Sequence, residues 1–201
     1  MNRYYSVQRF SDAQEHAQSF VNFDLSYFQT GKGPFEGTVQ QLDLGDGFHI
    51  FAESTNRQLA QRGQVRPGSI SVAWGTFAPT RRREEICTPL VGVLHGGDDW
   101  ILHRPSGAEV GGITMSAAEF DQLSGAPGVG KTPNKNRHIQ FLRDGNVFSG
   151  LRSDVNAMSR HAERFSCADA RTMIRKQLLD GVFCALSASE TTRSPGVTRM
   201  T

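Results

Sequence analysis

The sequence predicts an α+β chain in which an antiparallel β-barrel or sandwich comes first and helices follow. Three observations carry that expectation. Through residues 1–125, short segments alternate apolar and polar side chains and are separated by Gly, Pro and Asp turns, the spacing of an all-β unit. After Ser116 the apolar residues recur instead at steps of three and four, the period of a helix. The charge changes too: residues 1–134 hold 11 basic and 14 acidic side chains, and residues 135–201 hold 11 basic and 6 acidic.

Taken in order, Tyr5–Phe10 reads as a short strand. Ser11-Asp12-Ala13-Gln14 then has the form of a capping box and opens a helix expected to run towards Leu25. Thr30-Gly31-Lys32-Gly33-Pro34 breaks the chain. Six strands are expected next: Phe35–Leu44, Gly47–Ser54, Ser69–Phe77, Pro89–His95, Trp100–His103 and Glu109–Thr114. The turns between them have the right chemistry, as in Gly45-Asp46-Gly47, Arg66-Pro67-Gly68 and Gly96-Gly97-Asp98. In the third of these strands Ile70, Val72 and Trp74 fall on one face. Ser116-Ala117-Ala118-Glu119 is a second capping box, and Gly125 closes the short helix after it. Residues 126–146 read as a Gly, Pro, Asn and Lys loop. Residues 147–186 read as two amphipathic helices forming a hairpin. One carries Val147, Leu151, Val155, Met158, Ala162 and Phe165; the other carries Ala170, Met173, Ile174, Leu178, Val182 and Ala185. Residues 187–201 lack periodicity and read as a flexible tail or linker.

Composition narrows the function. A chain of 201 residues with 37% hydrophobic side chains makes one domain, or one with an appendage, and can bury a core. No run approaches the ~20 apolar residues of a membrane span, and the first residues lack a signal-peptide run, so a soluble cytoplasmic protein is expected. Cys87, Cys167 and Cys184 are odd in number and far apart, unlike a disulfide scaffold. The net charge of +2 is far from the basic surface of a DNA reader.

One motif stands out and is discounted. Gly125-Ala126-Pro127-Gly128-Val129-Gly130-Lys131-Thr132 fits G-x-x-x-x-G-K-[ST], in which backbone amides wrap phosphates and Thr would hold Mg²⁺. That chemistry needs a strand entering the loop and a helix leaving it. Here a capped helix enters and Pro133-Asn134 leaves, so a plain loop is expected. The histidines form no H-x-H or H-x-x-x-H pair; His95, His103 and Glu109 could meet only across strands, and no metal site is expected. Asp98-Asp99 reads as a hairpin turn, Arg81–Arg83 with Glu84-Glu85 as a self-neutralising loop, and Cys87 has no basic activator. No catalytic constellation emerges, and no enzyme is expected. Phe51, Trp74 and Trp100 differ: on barrel strands such aromatics fill the core or line a ligand cavity.

Asp12–Ala17, Gly33–Gly37, Leu42–Gly45, Ser54–Arg57, Arg66–Gly68 and the run Trp100–Glu109 come in an order that resembles the N-terminal sensor domain of AraC/XylS-family transcription regulators, in their cupin-like group, with the ethanolamine-utilisation regulator a similar member. The resemblance covers residues 4–125, and the helices to 186 loosely. It implies a cupin-like sensor barrel over 1–125, a loop over 126–146 and a helical dimerisation segment over 147–186. It also implies a small-molecule effector in the barrel, with Phe51, Trp74, His95 and Trp100 as candidate ligand-binding residues, and a homodimer carried by the Met158 and Phe165 stripe or the Met173 and Leu178 stripe. DNA would be bound only through a C-terminal helix-turn-helix domain absent from this chain. The metal-binding cupin motif of two His and a Glu is missing, so no cofactor is expected. The alternative is a stand-alone cupin-like small-molecule-binding protein or enzyme without a DNA role.

Overall fold

The structure, a computed structural model, describes residues 4–77, 88–124, 139–143, 150, 153, 155–157 and 167–188. Among these residues two antiparallel sheets face each other. The larger has seven strands in the order β1-β3-β4-β9-β6-β7-β10, and the smaller has three in the order β2-β5-β8. Their ranges are β1 Tyr5–Phe10, β2 Phe23–Gln29, β3 Gly37–Asp43, β4 His49–Thr55, β5 Leu59–Val65, β6 Ser69–Phe77, β7 Thr88–His95, β8 Trp100–Arg104, β9 Glu109–Ser116 and β10 Ile139–Arg143. Helices α1 Ala13–Gln18, α2 Ala117–Ser124 and α3 Ala168–Ala188 accompany them, and among the described residues 150, 153 and 155–157 are helical as well. The class is α+β, as the alternating segments predict. A parallel bridge between Val65 and Gly96 ties the sheets together at one corner.

Alternation sorts the strand side chains into two cores. Phe51, Ala73, Leu94 and Val110 of the large sheet point between the sheets with Leu25, Tyr27, Leu59, Val65 and Leu102 of the small sheet. Ile50, Ile70, Val72, Trp74, Val91, Val93, Ile113 and Met115 point the other way, where Phe120 of α2 and Leu178, Leu179 and Val182 of α3 cover them. The large sheet is therefore apolar on both faces, which is why β6 reads as a nearly continuous buried run.

Several expectations are corrected. The first helix stops at Gln18 rather than near Leu25, and its N-cap is Asp12, whose carboxylate accepts from the backbone N–H groups of Gln14 and Glu15 at 2.8 Å. The following residues become β2, because Leu25 and Tyr27 pair with β5 and enter the inner core. Half of the second capping box is present: Glu119 N–H donates to Ser116 Oγ, while the Glu119 carboxylate accepts from Arg175 instead of from Ser116 N–H. The expected loop over 126–146 contains β10, which pairs with β7 and extends the large sheet. In α3, Leu178 and Val182 are buried as the stripe predicts, but Met173 is 73% exposed. Residues 125–132 with the phosphate-loop pattern, Cys87, Met158 and Phe165 lie outside the described residues. No helix among those described is long and apolar enough to cross a membrane.

Candidate functional site

Between the sheets, one row of the large sheet is nearly bare. Phe51 of β4 pairs with Gly112 of β9, Gly112 with Ala73 of β6, and Ala73 with Gly92 of β7. Three strands in succession thus offer at most a methyl group to the interior. Gly112 has no choice: a Cβ there would run into the Phe51 ring. The result is a cavity of about 30 Å³, floored by Ala73 and Gly92 and walled by Phe20, Phe51, Phe77, Trp100 and Leu102. Phe23 is the one lining residue that is not buried, so the cavity meets solvent there. Phe20, Phe23 and Phe51 stack edge to face at this mouth, with ring centres 5.2–5.9 Å apart.

The polar chemistry around the cavity falls into two parts. At its inner end Glu53 is buried against Arg104 NH1, and its other oxygen lies 3.0 Å from His16 Nε2. The Tyr27 hydroxyl donates to the same carboxylate at 3.0–3.1 Å. Arg104 also donates to the Ala108 carbonyl at 3.3 Å. Burial alone would push the Glu53 carboxyl up, but Arg104, His16 and Tyr27 outweigh it and hold the group below the usual carboxylate range. The Tyr27 phenol is raised well above its ordinary value, first by burial and then by the adjacent Glu53 charge. The second part is unpaired. Trp100 Nε1 and Gln61 Oε1 are both buried, both belong to the cavity wall, and neither has a hydrogen-bond partner among the described residues.

Of the four residues predicted to bind a ligand, the structure brings together two, Phe51 and Trp100. Trp74 is one position out of phase. Its neighbour Ala73 faces the cavity, so Trp74 faces the opposite side of β6, where it floors an open groove of about 950 Å³ with Gln40, Ser54 and Asn156. His95 is likewise displaced by Leu94, which takes the inward place; His95 is partly buried at the strand end, opposite Ile70. Leu178, predicted for a dimer interface, is 1% exposed and belongs to the outer core of its own chain. Among the described residues no three of His, Cys, Asp and Glu assemble a metal site. The sequence reading passed over Glu53, Arg104, His16, Tyr27 and Gln61. The first was detectable: alternation through Phe51, Glu53 and Thr55 puts a carboxylate on the inner face of β4.

No family model matches the chain, and no curated protein does. The fold is similar to that of a solved structure titled an AraC-like transcriptional activator, CuxR, with a TM-score of 0.60 and 14% sequence identity. The match covers 94% of this chain and 73% of that one. At that identity the likeness is one of fold.

Proposed function

We propose that this chain is the effector-sensing region of an AraC-type transcription regulator. A small molecule occupies the space between the sheets, the region forms a homodimer, and DNA is bound through a helix-turn-helix domain outside these 201 residues. The chain has no catalytic role in this reading. The observation that carries it is the cavity with two buried, unpartnered polar groups in its wall, on a fold similar to that of an AraC-like activator. Buried donors and acceptors without partners are costly, about 1–3 kcal/mol each, and a ligand that pairs them recovers that cost. The effector acts by binding one arrangement of barrel and helices better than another, since only differential affinity shifts an equilibrium.

The test is a thermal-shift screen of small metabolites on the wild-type chain and on Ala73→Leu, which fills the bare row. A true effector at about a hundred times its Kd stabilises by about 2.7 kcal/mol, a rise of roughly 5–10 °C for a chain of this size. The rise should be absent from Ala73→Leu. A shift that survives this substitution, or no shift from any compound, sinks the reading.

A further inference from the structure

The same cavity carries an inference about the chemistry of its ligand, which rests on the reading above. Glu53 is already neutralised by Arg104 and takes further contacts from His16 and Tyr27. The one carboxylate in the wall is thus already held by its neighbours and offers an ion no unpaired counter-charge, and an uncompensated charge brought into such a site is strongly disfavoured. What the wall leaves open is one donor, Trp100 Nε1–H, and one acceptor, Gln61 Oε1. Trp100 pairs with Gly63 and Leu102 pairs with Gln61, so Gln61 and Trp100 are diagonal neighbours on the inner face of the small sheet. Such neighbours stand roughly 7–8 Å apart at the backbone, and their long side chains reach a common point. A hydroxyl is both donor and acceptor and satisfies the two groups at once.

We infer that the cavity takes a small, uncharged molecule that has an apolar body and a hydroxyl, with the hydroxyl held between Trp100 and Gln61. The enclosed space of about 30 Å³ admits only a few heavy atoms, so the body lies towards the aromatic mouth at Phe23.

Four probes of similar size separate the possibilities: phenol, toluene, benzoate and benzylammonium. Each is titrated into ¹⁵N-labelled protein, and the Trp100 indole N–H signal is followed after assignment with Trp100→Phe. Phenol should bind about tenfold more tightly than toluene, the worth of about one net hydrogen bond, and should move the Trp100 indole proton downfield. Benzoate and benzylammonium should not bind. Gln61→Leu should narrow the preference for phenol over toluene, because only the bond from Trp100 remains. Toluene matching phenol in the wild type, or either ion matching phenol, overturns the inference while leaving the cavity a ligand site. Binding by none of the four overturns the inference together with the proposed cavity.

Discussion

Glu53 is the residue on which the inner core turns. It is 5% exposed, and Arg104 beside it is fully buried. A buried pair of this kind contributes little net stability against an apolar replacement, yet losing one partner strands a charge. Arg104→Met should therefore cost about 3–5 kcal/mol in urea denaturation, while Glu53→Met combined with Arg104→Met should cost clearly less. A double variant as unstable as the single one contradicts this account. The pair depends on His16, which four aromatic rings, those of Phe10, Phe20, Tyr27 and Phe35, surround at 5.3–6.0 Å. Gly37 of β3 makes room for it, because a Cβ at that position would overlap the imidazole. Gly37→Ala should destabilise by about 1–3 kcal/mol through overpacking, measured in the same denaturation.

The helix α3 shows what one element does at two faces. Leu178 and Val182 close the outer core, and Arg175 anchors the helix from the side. Its guanidinium donates to both oxygens of Glu119 on α2 at 2.9–3.0 Å and to Asp46 of the β3–β4 turn at 2.7 Å. Asp46 is largely exposed, so the apolar face contributes more than this anchor. Leu178→Ala should cost about 2–5 kcal/mol, whereas Met173→Glu on the opposite face should change stability by no more than about 0.5 kcal/mol. Sedimentation of Met173→Glu then isolates any part that this face has in a dimer: a wild-type dimer that becomes a monomer places the interface there. The stripe was legible in Ile174, Leu178 and Val182, whose spacing is helical. Met173 follows the same spacing but stands exposed, a difference that periodicity alone does not reveal. The strands divide in the same way. Those with apolar inner faces were legible nearly to the residue, Ser69–Phe77 above all. β5 was not, because Gln61 and Gly63 occupy two of its four inward places and erase the alternation. β2 was hidden because Ala13, Ala17 and Phe20 keep helical steps of four and three past the point where α1 ends.

At the scale of the whole molecule, the site exists because two sheets meet at a particular register. Composition and pattern found the aromatics Phe51 and Trp100, but the cavity is made by what Gly112, Ala73 and Gly92 lack, and only strand pairing aligns them. The same register brings His16, Tyr27, Glu53 and Arg104 together from one helix and three strands, farther apart in sequence than any local motif covers. Joining distant elements through one charged centre makes the stability of the molecule depend on pH. The Glu53 carboxyl lies below its ordinary value in the folded state, so the unfolded chain binds its proton more readily. Its contribution is fully present above the unfolded carboxylate value of about 4.3 and is lost as pH falls through the lower folded value. His49, lowered by burial, adds a loss of its own that begins as pH falls below about 6.5. At the alkaline end the sign reverses. Tyr27 is raised, so its contribution is whole below about pH 10 and disappears as pH climbs through the folded value. Urea denaturation at pH 7 and at pH 3.5 separates the Glu53 share from the rest. The wild type should lose more stability between these two conditions than the Glu53→Met, Arg104→Met double variant, in which the buried carboxylate is gone and the other acids remain. Equal losses would mean that Glu53 does not titrate with folding, and that the buried centre holds the sheets together by packing alone.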